Sequence, residues 1–184
     1  MKIKFLGTGS GKTSLNRYHS SFLLSSSNHN LLVDCGDGIS KAILKQNINF
    51  NSIDSILISH FHADHFSGLP SLITQMKLTS RKNDLTIYVQ LSEKDFLEDF
   101  IFHSYLFKER MAFNFNIVSF DEEKEILLCD NFIFTSKLNS HLDKYIKYDQ
   151  GNNLGFASSS FLFKDDENSL IYSGDIGSDN DLYL

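Results

Sequence analysis

The feature that most constrains this chain is a short apolar stretch that runs directly into a cluster of ligand-type side chains. Residues 56–65 read ILISHFHADH. The apolar residues 56–58 predict a buried strand, and the pattern HxHxDH follows at once. Imidazole nitrogens and carboxylate oxygens are the ligands that zinc and similar divalent ions prefer. Such a pattern arises by chance in a chain of this composition with odds on the order of one in a thousand. We therefore predict a metal site here.

The spacing within this pattern indicates two metal positions. In an extended segment, residues two apart project to the same side. His60 and His62 are therefore expected to converge on one ion. Asp64 and His65 lie past the bend and are expected to turn toward a second ion. A polar turn that is rich in histidine by coincidence is the competing, weaker interpretation.

Two further candidate ligands follow predicted strands later in the chain. His141 comes after a strand over 131–138, and Asp175 comes after a strand over 169–173. Taken singly, His141 could be a surface histidine and Asp175 a turn residue within Gly-Asp-Ile-Gly. Because one loop cannot close a coordination shell, other ligands have to come from other strand ends. The order of these two residues behind HxHxDH favours a ligand role for both.

Hydrophobic patterning places the chain in the α/β or α+β class. Strands are predicted near 2–6, 20–25, 30–34, 55–59, 85–89, 114–119, 131–138, 156–163 and 169–173, and helices near 37–46, 67–79 and 92–107. Strands and helices alternate early and strands dominate later, which indicates a large sheet system. The charged run at 122–125 is predicted as a solvated turn. Without a repeat or a linker, residues 1–184 are expected to form a single domain.

The stretch LGTGSGKTS at residues 6–14 ends like a phosphate-binding P-loop. A P-loop requires a glycine five residues before Gly11, and Leu6 stands there instead. It also requires a helix directly afterwards, whereas residues 16–24 predict a loop that leads into a second strand. The glycines are better explained by a tight turn between strands, which needs positive φ and a close backbone approach.

Composition narrows the class of protein further. Hydrophobic residues make up 41% of the 184 residues, as in a globular domain, and the net charge of −6 opposes nonspecific nucleic-acid binding over the whole surface. No apolar run is long enough to span a bilayer, and residues 1–5 alternate like a strand and not like a signal peptide. Cys35 and Cys129 lie far apart and are expected to be reduced thiols. These features predict a cytoplasmic protein without membrane partners.

Five segments together resemble the successive motifs of the metallo-β-lactamase superfamily. They are FLGTGSG, LLVDCGDG, ILISHFHADHFSGLPSL, the SH at 140–141, and IYSGDIGSD. Among the branches of that superfamily, they are most similar to ribonuclease Z, the tRNA 3′-processing endonuclease, and its phosphodiesterase relatives. The resemblance runs over nearly the whole chain. It implies a four-layer αββα sandwich with the metals at one edge, between the two sheets.

The resemblance also divides the candidate ligands between two metals. The first metal would be held by His60, His62 and His141, the second by Asp64 and His65, and Asp175 would bridge them. Asp34, in the turn after a predicted strand, corresponds to an acidic residue that supports the site from behind. A plain turn or cap role for Asp34 is an equally good interpretation.

The chain also departs from the family pattern. Full-length members continue well beyond the Gly-Asp strand and add a further metal-binding histidine, and ribonuclease Z adds a histidine motif linked to leaving-group protonation. No histidine follows His141 here. The C-terminal half of the sandwich is therefore expected to be incomplete, either in a truncated product or with the missing elements supplied by another chain. The protruding arm with which ribonuclease Z holds tRNA is also not evident, because 142–155 is a short polar insertion.

The expected activity is that of a metal-dependent hydrolase. Two divalent ions, zinc or alternatively manganese or iron, would share a hydroxide as the nucleophile, because coordination lowers the pKa of bound water toward about 7. Asp64 would help to orient this hydroxide as the catalytic carboxylate. A phosphodiester substrate, tRNA or a nucleotide, is favoured over a β-lactam. A homodimer is compatible with this prediction.

Two other functions stay open from the sequence. One is a different hydrolase on the same fold, acting on a cyclic nucleotide or a thioester. The other is a truncated, catalytically silent domain that binds metal weakly or acts through a partner. The number of tightly bound ions and the choice of substrate discriminate among the three.

Overall fold

The computed structural model describes residues 1–152 and 154–182, and these residues form ten strands and four α-helices. The strands are β1 (Lys2–Gly7), β2 (Ser21–Ser26), β3 (His29–Val33), β4 (Ser55–Leu57), β5 (Leu85–Gln90), β6 (Phe115–Phe120), β7 (Glu125–Cys129), β8 (Phe132–Leu138), β9 (Ser159–Lys164) and β10 (Ser169–Tyr172). The α-helices are α1 (Ile39–Lys45), α2 (Ala63–Phe66), α3 (Leu69–Leu78) and α4 (Lys94–His103). The longest of several 3₁₀ segments spans Ser140–Tyr148.

Six strands form the first sheet, in the order β1-β2-β3-β4-β5-β6. β1, β2 and β3 pair antiparallel, whereas β3 through β6 pair parallel. Parallel neighbours need crossover connections, and helices α1 to α4 supply them. Because β3 and β4 are parallel, the segments that follow them emerge at the same edge of the sheet. This places Asp34 directly beside the HxHxDH segment.

The second sheet has the order β10-β9-β8-β7 and is antiparallel throughout. β8 and β10 both flank β9, so they run in the same direction and their carboxyl ends lie at one edge. The two sheets are joined at that edge, where the Ser159 amide donates to the Ser59 carbonyl at 3.1 Å. The segments after β4, β8 and β10 therefore meet at one end of the molecule.

An aliphatic core lies between the helices and the first sheet. All four α-helices contribute to it, with side chains such as Ile43, Phe66, Leu72 and Ile101. α3 starts with Pro70 in its first turn, where the missing amide hydrogen carries no cost, and it buries Leu69, Leu72, Ile73 and Met76. This core fixes the helices on one face of the sheet and so fixes the loops that precede them.

An aromatic core lies between the two sheets. It is built from residues of both sheets: Phe22, Leu24, Leu31, Val33, Leu57, Tyr88, Phe120, Phe132, Phe134, Phe161 and Phe163. Phe134 packs edge-on against Tyr88, Phe120 and Phe161, with ring centroids 5.4–5.9 Å apart. Burial of one such ring contributes about 1.5–3 kcal/mol, so this core holds the sheets face to face.

The mixed α/β class and the facing sheets agree with the predicted sandwich, and most predicted elements are present within one or two residues. The predicted solvated turn over 122–125 was wrong at its last residue, because β7 begins at Glu125. The first part of the insertion after β8 lies in a 3₁₀ segment, Ser140–Tyr148. In the described residues no α-helix covers the outer face of the second sheet, where Leu127 and Ile171 are exposed.

The glycine-rich stretch is a loop that leads into β2, as predicted, and not a P-loop followed by a helix. Close backbone approach explains two of its glycines. A Cβ on Gly7 would lie 1.8 Å from the His19 carbonyl oxygen, and one on Gly9 would lie 2.8 Å from that of Tyr18. Neither residue has positive φ, so that part of the prediction was wrong.

No helix in residues 1–152 and 154–182 has both the length and the apolar character that a membrane crossing requires.

Candidate metal centre

The HxHxDH segment leaves the first sheet at β4 and turns into α2. His62 has an extended backbone and stands just before α2, and its carbonyl accepts the His65 amide at 2.8 Å. Asp64 and His65 therefore lie past the bend, within the helix turn. The Nε2 atom of His60 lies 3.1 Å from Nδ1 of His62. The structure thus brings these two histidines together on one side, as their spacing predicts.

His141 reaches the same place from the second sheet. It lies in the first turn of the 3₁₀ segment after β8, where the Asn139 side chain caps its amide at 3.2 Å. Its Nε2 atom lies 3.1 Å from Nδ1 of His62. Nitrogen atoms of His60, His62 and His141 therefore converge from two separate stretches of the chain.

Asp175 follows β10 and stands between two groups of ligands. Its Oδ2 lies 3.6 Å from Nε2 of His141, and its Oδ1 lies 3.6 Å from Nε2 of His65. His65 Nε2 lies equally far, 3.6 Å, from Oδ2 of Asp64. Ligand atoms of His60, His62, His141 and Asp175 all lie within 4.8 Å of one another. One carboxylate oxygen thus faces the histidine group, and the other faces the Asp64–His65 pair.

Asp34 is fully buried behind the centre and accepts four hydrogen bonds. Its Oδ1 accepts from the Ser59 amide at 2.8 Å, and its Oδ2 accepts from the Ser59 hydroxyl at 2.9 Å, from His65 Nδ1 at 2.8 Å and from the Tyr172 hydroxyl at 2.9 Å. Asp34 also has φ of 59°, a left-handed conformation that aspartate tolerates better than most residues. Asp34 therefore occupies a turn and also supports His65 of the centre from behind.

This network determines which ring nitrogens are protonated. His65 donates Nδ1–H to Asp34, so its Nε2 lone pair is directed at Asp64 and Asp175. The Ser59 hydroxyl hydrogen points to Asp34, so its oxygen accepts Nδ1–H of His60 at 3.1 Å. The Nε2 lone pair of His60 is then left for the centre. Fixing a histidine tautomer through its second nitrogen is typical of metal ligands.

The pKa shifts of His60 and His62 agree with neutral rings. Burial, together with the neighbouring His65, His62 and His141, lowers the pKa of His60 to about 2. Burial and His141 lower the pKa of His62 as well, against the smaller opposing effects of Asp64 and Asp175. Burial also acts to lower the pKa of His65, but the hydrogen bond and charge of Asp34, with Asp175 and Asp64, outweigh it and raise the pKa.

Three glycines allow the loops around the centre to approach closely. A Cβ on Gly36 would lie 1.9 Å from the Asp64 carbonyl oxygen, and one on Gly68 would lie 2.2 Å from that of Gly36. A Cβ on Gly11 would lie 3.3 Å from Oδ2 of Asp64. The glycine-rich stretch at Gly11 and the turn after β3 at Gly36 therefore pack directly on the HxHxDH segment.

The C-terminal segment is held in place by Asp181. Its Oδ2 accepts the Ser140 amide at 3.1 Å and the Ser140 hydroxyl at 2.8 Å. It also accepts the amides of Gly177 and Ser178 at 2.9 and 3.0 Å. The loop that carries Asp175 is thereby tied to the loop that carries His141.

Sequence reasoning missed Ser59, Tyr172 and Asp181. Ser59 immediately precedes the first histidine, so its polar side chain at a buried strand end was a usable signal. Tyr172 and Asp181 carry no such signal, because their partners are Asp34 and Ser140, 138 and 41 residues away. Only the approach of the two sheets brings these groups together.

Two cavities adjoin different residues of the centre. A cavity of about 710 Å³ lies beside His62, and its lining includes Phe61, Phe96, Leu142, Tyr145, Phe156 and the acidic residues Glu93 and Asp95. The Tyr145 ring stands edge-on to His62, with centroids 5.6 Å apart. A second cavity of about 360 Å³ lies between the glycine-rich stretch and Asp64, His65 and Asp175. Both cavities are thus lined in part by residues of the centre.

The donor set fits a divalent cation. Imidazole nitrogens of three histidines and a carboxylate oxygen of Asp175 converge from separate loops to within 4.8 Å of one another. This chemistry suits zinc and related first-row metals. The structure thus brings all six predicted ligand residues together.

The whole chain matches a known protein family. The family model described as "Anti-Pycsar protein Apyc1" matches residues 1–184.

Curated relatives carry the name ribonuclease Z. The Methanosarcina mazei protein is 41% identical over 100 residues, which cover 54% of this chain and 33% of that protein. The protein of Prochlorococcus marinus strain MIT 9312 is 37% identical over 136 residues, covering 71% of this chain and 43% of the relative. The chain thus spans about a third to two fifths of the length of these relatives.

Solved structures show the same fold. The short form of human tRNase Z superposes with a TM-score of 0.73 and 25% identity, covering 95% of this chain and 69% of that structure. The metallo-β-lactamase fold protein YhfI from Bacillus subtilis gives a TM-score of 0.70 and 20% identity, covering 94% and 61%. The fold is therefore that of the metallo-β-lactamase superfamily.

Proposed function

This chain belongs to the family described as anti-Pycsar protein Apyc1, on a ribonuclease Z-like metallo-β-lactamase fold, and we propose that it is a metal-dependent phosphodiesterase. The observation that carries the proposal is the position of Asp175. Its two oxygens, each 3.6 Å from a histidine Nε2, face two groups of ligands at once. A carboxylate between two ligand groups is what a site for two cations requires.

We assign the ligands as follows. The first ion would be held by His60, His62 and His141, the second by Asp64 and His65, with Asp175 shared between them. When bound, such ions lower the pKa of coordinated water and neutralise charge on phosphoryl oxygens. Zinc is the proposed metal, with manganese or iron as alternatives, because all three accept nitrogen and oxygen ligands.

The side chains of this protein would then supply orientation. Asp64 lies at the centre beside His65 and next to the smaller cavity. We assign it the role of accepting a hydrogen bond from the attacking water and so holding that water in line with the phosphorus atom. Asp34 and Ser59 keep His65 and His60 in the tautomers that leave Nε2 unprotonated.

The substrate is proposed to be a phosphodiester of a nucleotide. Relatives named ribonuclease Z and tRNase Z support an RNA phosphodiester such as tRNA. The larger cavity also supports a smaller substrate, because about 710 Å³ lies within the ~300–1,000 Å³ typical of small-molecule sites. Its aromatic lining beside His62 suits a nucleobase. A cyclic nucleotide is therefore the second candidate substrate.

Chelation and metal analysis test the metal requirement. Purified protein is assayed with bis(p-nitrophenyl) phosphate before and after EDTA treatment, and again after zinc, manganese or iron is restored. We expect turnover to disappear on chelation and to return with metal, and elemental analysis to give two ions per chain. Turnover that survives chelation would contradict the proposal. None or one bound ion without turnover would favour a catalytically silent domain.

A substrate panel tests the reaction class. Precursor tRNA, cyclic nucleotides and a thioester are compared at equal enzyme concentration under the same metal loading. Cleavage of precursor tRNA would support the endonuclease, and cleavage of cyclic nucleotides alone would support the small-substrate alternative. Turnover of the thioester without any phosphodiester would contradict both.

We further propose that the protein forms a homodimer, which light scattering tests. We also propose that it is cytoplasmic, which cell fractionation tests.

A further inference from the structure

Tyr172 connects the two sheets at the buried carboxylate of Asp34. Three of the four hydrogen bonds to Asp34 come from Ser59 and His65, on the side of the first sheet. The fourth comes from the Tyr172 hydroxyl at 2.9 Å, across the interface from β10. Asp34 itself is fully buried, so its orientation depends on these donors.

The position of Tyr172 links both ring nitrogens of His65 to the end of β10. Nδ1 of His65 contacts Asp34, which Tyr172 holds. Nε2 of His65 lies 3.6 Å from Asp175, which stands three residues after Tyr172. The end of β10 therefore determines what both ring nitrogens of His65 contact.

The surroundings keep Tyr172 in this position as a donor. Its ring packs edge-on against Phe22, with centroids 4.9 Å apart. Burial and the charge of Asp34 hold the pKa of the Tyr172 hydroxyl well above its ordinary value, so the hydroxyl keeps its proton. Loss of the hydroxyl alone would leave the ring contact with Phe22 intact.

We propose that Tyr172 is a positioning residue, which fixes His65 through Asp34 in the orientation that a divalent cation requires and sets the distance from His65 to Asp175. A carboxylate with one donor fewer can rotate, and the imidazole that it holds can then exchange between its two tautomers. Outer partners of this kind are typically worth about 10–100-fold in metal affinity. Only the part of the proposal that concerns metal binding rests on the proposed function.

The test compares Tyr172→Phe with the matched variant Tyr88→Phe. Tyr88 is a buried tyrosine of the inter-sheet core, against which Tyr172 packs, and its ring is edge-on to Phe134 at 5.4 Å. Each variant loses one tyrosine hydroxyl, but of the two only Tyr172 contacts Asp34. Melting temperatures of both metal-free variants measure any general loss of stability.

The first measurement is ¹⁵N NMR of the histidine side chains in the metal-free protein at alkaline pH, above the raised pKa of His65, where its ring is neutral. We expect His65 to carry its proton on Nδ1 in the wild-type protein and in Tyr88→Phe, and to populate both tautomers in Tyr172→Phe. This measurement requires neither metal nor turnover. It therefore separates failure of this proposal from failure of the proposed phosphodiesterase function.

The second measurement is calorimetric titration with zinc. One of the two binding events is expected to weaken about 10–100-fold in Tyr172→Phe and to stay unchanged in Tyr88→Phe. An unchanged His65 spectrum in Tyr172→Phe would overturn the proposal, whatever happens to its melting temperature. Equal changes in both variants would overturn it too, because they would show a general effect of losing a core hydroxyl.

Discussion

The two halves of the candidate metal centre are built in different ways. Residues 60–65 form one contiguous segment at the carboxyl end of a buried parallel strand, and the side chains of His60 and His65 are 1% exposed. His141 and Asp175 come from two separate loops of the second sheet, and the Asp175 side chain is 45% exposed. The first half thus continues directly from a buried strand, whereas the second half reaches it from the other sheet.

This difference separates local folding from sheet association. The first half takes its geometry from Asp34, Ser59 and close-packed glycines within the first sheet. The second half reaches the centre only if the aromatic core holds the sheets together and Asn139, Asp181 and Tyr172 fix the loops. Variants in the two regions should therefore fail in different ways.

The largest effect is expected from His60→Ala, which removes a ligand from the preformed half. Because no neighbouring nitrogen can take its place, turnover of bis(p-nitrophenyl) phosphate should fall by more than about 10³-fold, beyond the range typical of outer partners. The fold should persist, with an unchanged circular dichroism spectrum. His103→Ala, at an exposed position that ends α4, is the control and should leave turnover unchanged. Comparable turnover by the two variants would show that His60 is not a ligand of the metal centre.

Phe134→Ala breaks the association of the sheets and not the site itself. Loss of this ring from the aromatic core should lower the free energy of unfolding by about 3–5 kcal/mol, measured by urea denaturation. Leu78→Ala, on the exposed face of α3, should cost less than about 0.5 kcal/mol. In the folded fraction, metal affinity should also fall, since His141 and Asp175 lose their support. Full affinity in a destabilised variant would show that the two halves are independent of this core.

Asp34→Asn tests the support of the preformed half. Asparagine tolerates the left-handed backbone, but it carries no charge and offers only one acceptor oxygen to the four donors. Zinc affinity, measured by competition with a chelating dye, should fall about 10–100-fold, and stability should fall by about 1–3 kcal/mol. The exposed Asp37→Asn serves for comparison and should change neither quantity. Wild-type zinc affinity in Asp34→Asn would show that Asp34 acts only as a turn residue.

The smallest effect is expected from Gly11→Ala. The added methyl group would stand 3.3 Å from the Asp64 carboxylate, so the loop or the carboxylate has to shift by a few tenths of an ångström. Turnover should fall about 2–10-fold, well below the ~10²-fold cost of a 1 Å displacement. Thr13→Ala, at an exposed position of the same loop, should have no effect. Loss of activity as large as that of His60→Ala would give this loop a direct role in the reaction.

Much of the fold was predictable because its signals are local. Apolar runs such as residues 56–58 and 85–89 indicate buried strands, and the aromatic and β-branched residues at 132–135 are typical of a strand. β7 was missed, because its short sequence carries a charged first residue and faces solvent at the edge of the second sheet. The layer to which each strand belongs is not a local property, since it depends on which partners are available.

The sequence by itself determined the chemistry of the site. HxHxDH, a histidine after one strand and an aspartate after another specify nitrogen and oxygen ligands, whatever the arrangement of the chain. Tertiary structure alone decided that Asp175 faces both ligand groups, that Tyr172 reaches Asp34, and that a cavity of about 710 Å³ opens beside His62. The physical reason is the distance along the chain over which each signal acts. Strand and ligand patterns involve residues a few positions apart, whereas these contacts join segments up to 138 residues apart. They form only once the two hydrophobic cores have set the positions of the sheets.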